Sequence, residues 1–167
     1  MHLFIFGESG AGKSYVGALC VAELGFELYD GDRDLTLTMG EAISAQRLFT
    51  PAMRAEFAEV LARNVRSARD ELLLRSAPAR GLAVCQGLFK ERERRWLSAQ
   101  FPAARWLWVR TPPGLLRERL AQRAGHEASA AYAALVNAGF EPPELAHDVL
   151  DNDGDRARVV RQLRVLL

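Results

Sequence analysis

The segment 7–14 constrains the fold of this chain more than any other part of the sequence. It reads GESGAGKS and fits the pattern G-x-x-x-x-G-K-[ST] at every fixed position. The apolar run His2–Phe6 comes before it and predicts a buried parallel strand. The residues Lys13–Leu24 after it predict a helix with one apolar side. A strand, a glycine-rich turn and a helix in this order are typical of a phosphate-binding loop.

Each residue type in this loop suits the binding of phosphate. Glycines carry no Cβ atom, so several backbone N–H groups can approach the phosphate oxygens together, and the N-terminus of the next helix favours an anion. Lys13 is predicted to reach the β- and γ-phosphates, and the Ser14 hydroxyl to bind Mg²⁺. A chance match in a glycine-rich turn is the alternative, and the flanking strand and helix argue against it. The predicted nucleoside triphosphate site consists of Gly7, Gly10, Ala11, Gly12, Lys13 and Ser14.

Composition places the chain among ordinary globular proteins. The sequence has 167 residues, of which 49% are hydrophobic and 26% charged, and it is expected to form a single domain over 1–167. A net charge of +1 argues against a nucleic-acid partner. The first apolar run lacks a basic leader and is interrupted by Gly7, so neither a signal peptide nor a membrane partner is expected. Cys20 and Cys85 predict buried free thiols in a reducing cytoplasm.

Strands and helices alternate along the rest of the chain. Further strands are predicted at 26–29, 82–85, 106–109 and near 149–150, and further helices at 51–76, 90–100, 111–123 and from 155. The stretch 125–143 is alanine-rich and irregular in pattern. This order predicts an α/β fold of three layers, with a parallel sheet covered by helices on both faces. Its ligands are expected at the carboxyl ends of the strands.

Two carboxylates follow the second predicted strand. Asp30 and Asp32 flank Gly31, close to where the phosphate loop is expected. Asp30 is a candidate for holding Mg²⁺, in part through water, and Asp32 for accepting the proton of an attacking hydroxyl. An ordinary surface turn is the alternative. The position at a strand end beside a phosphate loop favours the functional interpretation.

Basic residues cluster on the helix predicted at 111–123 and just beyond it. Arg119 and Arg123 are four residues apart and project from one face, with Arg117 and His126 nearby. Arginines directed at a transferring phosphoryl group would stabilise its charge. A solvated basic face is the alternative. That alternative carries more weight for a second group on the helix at 90–100, namely Arg92, Arg94 and Arg95.

Taken together, these motifs resemble the gluconate kinase family. That family is close to shikimate kinase, within the larger group related to nucleoside monophosphate kinases. The resemblance extends from about Leu3 to the C-terminal helix. It is carried by GESGAGKS, by DGD at 30–32, by CQGLFKERER at 85–94, by the run from Arg119 to His126 and by FEPP at 140–143.

The resemblance implies an enzyme that transfers the γ-phosphate of ATP, with Mg²⁺, to a hydroxyl of a sugar acid or related hydroxy acid. It implies a substrate-binding segment at about 33–76 and a lid at about 124–143. The implied catalytic residues are Lys13, Asp32, Arg119 and Arg123, and Arg119 would also bind nucleotide. The implied substrate-binding residues are Asp32, Arg54 and His126, with Arg54 as a loose counterpart of a carboxylate-binding arginine in shikimate kinases.

The acceptor side of this pattern departs from the family. The run RDLTLTMG at 33–40 is shorter than its counterpart and lacks the usual His, Asn and Lys, and LVN at 135–137 replaces a Ser-Gln pair. Two alternatives therefore remain open. One is an ATP-binding regulatory module that has lost its acceptor site, and the other is a kinase for a nucleotide or nucleoside. A monomer and a homodimer are both compatible with the sequence.

Overall fold

The computed structural model describes residues 1–75, 79–122 and 130–167. Its strands are β1 (His2–Phe6), β2 (Glu27–Asp30), β3 (Leu82–Cys85), β4 (Arg105–Arg110) and β5 (Asp148–Asp151). Its α-helices are α1 (Lys13–Leu24), α2 (Leu37–Ser44), α3 (Pro51–Leu73), α4 (Glu91–Gln100), α5 (Pro113–Ala121), α6 (Ala130–Ala138) and α7 (Arg156–Leu166). A one-turn 3-10 helix occupies Gly31–Asp34.

The strands form one parallel sheet in the order β2-β3-β1-β4-β5. Strand β1 lies at the centre, where Ile5 is level with Cys85 of β3 and Leu107 of β4. Because all strands run in the same direction, their carboxyl ends meet at one edge of the sheet. That edge collects the phosphate loop, the Asp30–Asp32 turn and the loop after β3.

Successive side chains of β1 point to opposite faces of the sheet, which explains the three layers. Leu3 and Ile5 face one side and pack with α1, α5 and α7. Phe4 and Phe6 face the other side and pack with α3 and α4. All four side chains are fully buried, which is typical of a central strand covered on both faces. The predicted parallel three-layer α/β fold is confirmed.

Two helices were not predicted, and each has a physical reason. Helix α2 begins after Thr36, whose hydroxyl accepts the N–H of Met39 and caps the helix. Helix α6 lies inside the stretch 125–143, whose sequence pattern was interpreted as irregular. Its run AAYAALVNA lacks a clear apolar period but is rich in alanine, the best helix former. The interpretation of that stretch as irregular was therefore wrong for Ala130–Ala138.

The thiols of Cys20 and Cys85 are buried and unpaired, as the sequence predicted. Burial raises the pKa of each thiol to about 12, so both stay protonated near neutral pH. Among the described residues, no helix combines the length and the apolar character that a membrane crossing requires.

Candidate nucleotide and acceptor site

The phosphate loop follows β1 directly and requires glycine at specific positions. Gly10 and Gly12 have φ angles of +87° and +90°, a region that favours glycine. A Cβ atom on Gly12 would lie 2.3 Å from Nδ2 of Asn152. A side chain at these positions would also keep the backbone N–H groups of the loop away from phosphate oxygens. The positions therefore require glycine, in agreement with the sequence pattern.

Lys13 folds back over the loop. Its ammonium group donates to the carbonyl oxygens of Gly7, at 3.1 Å, and Glu8, at 2.9 Å. Ser14 follows in the first turn of α1 and is exposed. The ammonium of Lys13, the N-terminus of α1 and the Ser14 hydroxyl are therefore close together, as in loops that bind a triphosphate with its metal ion.

Three side chains converge on the carbonyl oxygen of Ala11. Asn152 Nδ2 donates to it at 2.8 Å, Thr111 Oγ1 at 2.9 Å and Arg119 Nη1 at 3.4 Å. Arg119 also donates to the Thr111 hydroxyl at 3.3 Å. The guanidinium of Arg119 is thereby held next to the loop, where it can contact a bound nucleotide. Thr111 and Asn152 belong to no motif, so sequence reasoning missed them.

Helix α6 is joined to the phosphate loop by a reciprocal pair of hydrogen bonds. The Ser9 N–H donates to Asn137 Oδ1 at 2.7 Å, and Asn137 Nδ2 donates to the Ser9 carbonyl at 3.0 Å. The side-chain amide of Asn137 therefore pairs with both the backbone N–H and the backbone carbonyl of Ser9. This contact connects the predicted lid region to the phosphate loop.

Replacing Asn137 with alanine should lower the free energy of unfolding by about 1.5 kcal/mol. Two hydrogen bonds of about 1 kcal/mol each are lost, and the higher helix propensity of alanine offsets roughly 0.5 kcal/mol. Urea unfolding measures the change, and hydrogen exchange of the Ser9 amide should accelerate. Leu135→Ala, on an exposed position of the same helix, is the matched control. Equal exchange at Ser9 in both variants would contradict this prediction.

The two predicted carboxylates lie at the end of β2, beside the end of β3. Asp30 Oδ1 accepts the N–H of Asp32 at 3.0 Å, and Asp32 Oδ1 accepts from Nε2 of Gln86 at 2.8 Å. Asp32 is exposed, whereas Gln86 is buried. The structure thus brings Asp32 to the edge that carries the phosphate loop and fixes its carboxylate through Gln86.

Oxygen donors near the loop suit a hard cation. The Ser14 hydroxyl and the Asp30 carboxylate are of the type that Mg²⁺ prefers. The described residues contain no group of three or more His, Cys, Asp or Glu side chains suited to a metal ion.

The two distant stretches that carried much of the resemblance, 85–94 and 140–143, pack against each other. Glu141 accepts from Lys90 Nζ at 3.1 Å and from the N–H of Glu91 at 2.9 Å. The N–H of Glu91, with the nearby ammonium of Lys90, lowers the pKa of the Glu141 carboxyl. Arg94 donates to the backbone carbonyl of Glu141 at 2.7 Å. Arg94 is fully buried, so its assignment to a solvated face was wrong.

A cavity of about 150 Å³ opens beside Gln86. Helices α2, α3, α4 and α6 and the loop after β3 enclose it. Its lining is mostly apolar, and its charged members are Arg54, Lys90 and Glu93. Arg54, which the sequence predicted as a substrate-binding residue, lines this cavity. Its Nε is 3.7 Å from Glu93 Oε1, and it also donates to the carbonyl of Phe49. Glu93 was not predicted.

Two predicted site residues, Arg123 and His126, lie outside the described residues, as does the first part of the proposed lid. Arg117 is exposed at the surface of α5. Of the two described members of the predicted basic cluster, Arg117 and Arg119, the structure brings Arg119 to the phosphate loop.

Comparisons with known proteins agree with this geometry. A family model described as an AAA domain matches residues 3–143. A shikimate kinase from Chlorobaculum tepidum is 44% identical over 55 residues, which are 33% of this chain and 28% of that protein. The matched part of the chain thus spans less than a third of the length of this curated relative.

Solved structures extend the similarity to the whole fold. The sugar kinase from Janibacter sp. HTCC2649 has a TM-score of 0.81 at 18% identity, covering 99% of this chain and 92% of that one. The gluconokinase from Sinorhizobium meliloti 1021 has a TM-score of 0.77 at 20% identity, covering 99% and 93%. At such identities the likeness establishes the fold. By the family match over 3–143, the chain belongs to the AAA domain family, and it has the fold of the gluconokinase and shikimate kinase type of P-loop kinase.

Proposed function

We propose that this protein is an ATP-dependent kinase that phosphorylates a hydroxyl of a small molecule, a sugar acid or a related hydroxy acid. One observation carries the proposal. The phosphate loop with Lys13 and the cavity lined by Arg54 both lie at the carboxyl edge of the sheet, and Gln86, which lines the cavity, donates there to Asp32. A nucleotide and an acceptor can therefore be bound side by side.

The reaction joins the acceptor oxygen to the γ-phosphorus as the bond from that phosphorus to the β–γ bridging oxygen breaks. ADP leaves, and Asp32 takes the hydroxyl proton or orients the hydroxyl. Lys13 and Arg119 offset the charge that spreads over the phosphoryl oxygens. When bound, Mg²⁺ supplies further charge neutralisation, with Ser14 and Asp30 as its protein donors.

The acceptor side supports a carboxylate-bearing substrate through Arg54. Its guanidinium lies in the cavity wall and can pair with an acid, as the resemblance to shikimate kinases implies. Arg123 and His126 remain proposed contributors from the lid side. The direct test is a screen of purified protein with Mg·ATP against sugar acids, polyols and hydroxy acids, measured by ADP formation and by mass spectrometry of the product. Binding of Mg·ATP with no acceptor phosphorylated would favour the regulatory alternative.

Replacing Asp32 with asparagine should reduce turnover by about 10²-fold, the scale of general base catalysis. The affinity for Mg·ATP should change little, because the proposed role of Asp32 is at the acceptor hydroxyl. Asparagine keeps the oxygen that accepts from Gln86, so the local fold is retained. Steady-state kinetics and calorimetric titration separate the two effects. Unchanged turnover would remove Asp32 from the proposed mechanism.

A further inference from the structure

The cavity contains an unusual pair of opposite charges. Glu93 and Arg54 face each other across 3.7 Å, and their side chains are 8% and 24% exposed. Glu93 Oε2 and Arg54 Nε are both buried, and within the described parts of the chain neither has a hydrogen-bond partner. Buried polar atoms of charged groups that lack a hydrogen bond are costly, and proteins seldom leave them so without a ligand or water to complete them.

The rest of the lining limits what can complete this pair. Apart from Gln86, Lys90 and Tyr132, the rest of the lining is apolar and gives no hydrogen bonds to a chain of hydroxyls; it includes Met39, Phe49, Phe57 and Leu88. A linear polyol acid would bury several hydroxyl groups without partners there. A dry apolar cavity of about 150 Å³ accommodates a molecule of roughly the size of benzene. The ligand that suits this cavity best is therefore a small molecule with a compact carbon framework and charged groups at one end.

We propose that the acceptor is a small hydroxylated amino acid with a largely apolar carbon framework. Its ammonium group donates to Glu93 and its carboxylate accepts from Arg54, so each half of the zwitterion meets the buried charge opposite to its own. The hydroxyl at the other end of the framework then lies on the side of Gln86, which lines the cavity and donates to Asp32. This inference rests on the proposed kinase function and narrows its substrate class.

Paired probes that differ only at the amine test the inference. Serine is compared with glycerate, and homoserine and hydroxynorleucine are each compared with the analogue in which a hydroxyl replaces the ammonium. Binding is measured by calorimetry with a non-hydrolysable ATP analogue and Mg²⁺ present, and phosphorylation is measured separately with ATP. For a pair that the cavity accepts, the amine member should bind at least about tenfold more tightly, as expected for a charge-assisted hydrogen bond.

Glu93→Gln keeps the shape of the side chain but removes its charge, and it should abolish this preference. Glu144→Gln removes an equivalent charge from an exposed partner of Arg95 and should leave the preference unchanged. Equal binding of both members of every pair to the wild-type protein overturns the inference, as does binding of none of them. A preference that survives in a folded Glu93→Gln protein overturns it as well. If that variant fails to fold, the comparison of paired ligands on the wild-type protein still tests the inference.

The outcomes also separate this inference from the kinase proposal. Phosphorylation of the hydroxy analogues with no preference for amines would refute the amino acid inference and support the kinase. Failure of the protein to bind Mg·ATP would refute the kinase proposal itself. Amine-selective binding without phosphoryl transfer would support the assignment of Glu93 and count against catalysis.

Discussion

Replacing Lys13 with alanine should reduce phosphoryl transfer by about 10³-fold while leaving the fold intact. Lys13 holds its ammonium over the loop through the carbonyls of Gly7 and Glu8, and a bound triphosphate would offer it stronger, charged partners. Fixed charges that stabilise a transferring phosphoryl group are worth about 10²–10³-fold for each donor removed. Lys13 is also expected to contact the ground-state triphosphate, so the affinity for Mg·ATP should fall too.

The measurement is single-turnover transfer from Mg·ATP to the acceptor identified by the screen, with calorimetric titration of the nucleotide alongside. Arg117→Ala removes the same charge from an exposed site on α5 and controls for net charge. Circular dichroism and thermal melting should show both variants folded. Transfer above one-tenth of the wild-type rate in Lys13→Ala would be incompatible with the proposed use of the phosphate loop.

Short sequence patterns predicted the parts of the structure that interactions between neighbouring residues determine. The phosphate loop and α1 follow from adjacent residues, and the parallel sheet follows from alternating apolar runs and helices. Asp32 and Arg119 could be named as candidate site residues because each belongs to a recognisable cluster near a strand or helix end. The structure brings both to the edge of the sheet where the loop lies.

Other site residues could not be predicted because their roles depend on contacts far along the chain. Asn152 reaches Ala11 from 141 positions away, and Asn137 reaches Ser9 from 128. Neither Asn152 nor Asn137 belongs to a recognisable sequence motif. Glu93 looked like one more charge on a charged helix, and only the packing of α3 and α4 shows that its carboxylate is buried beside Arg54. Charge patterns in sequence do not distinguish a solvated face from a buried pair.

Arg94 is the clearest example of a buried charge in this fold. Its side chain has no exposed area, and it lies on α4 against the loop after β3 and the segment at 140–143. Its Nε pairs with Glu91 Oε2 at 2.8 Å, and its two terminal nitrogens donate to the carbonyls of Leu88 and Glu141 at 2.7 Å each. One guanidinium therefore joins α4, the loop after β3 and the segment at 140–143.

Replacing Arg94 with methionine should lower the free energy of unfolding by about 3 kcal/mol, because two backbone carbonyls and one oxygen of the partly buried Glu91 carboxylate lose their charged donor. In a domain of this size such a loss corresponds to a fall in melting temperature of roughly 10 °C. Arg95→Met is the matched control, since Arg95 also pairs with Glu91 but its side chain is 58% exposed. An exposed pair contributes less than about 1 kcal/mol. If urea unfolding gives equal losses for the two variants, Arg94 does not hold these segments as the geometry indicates, because burial is the property that distinguishes the two neighbouring arginines.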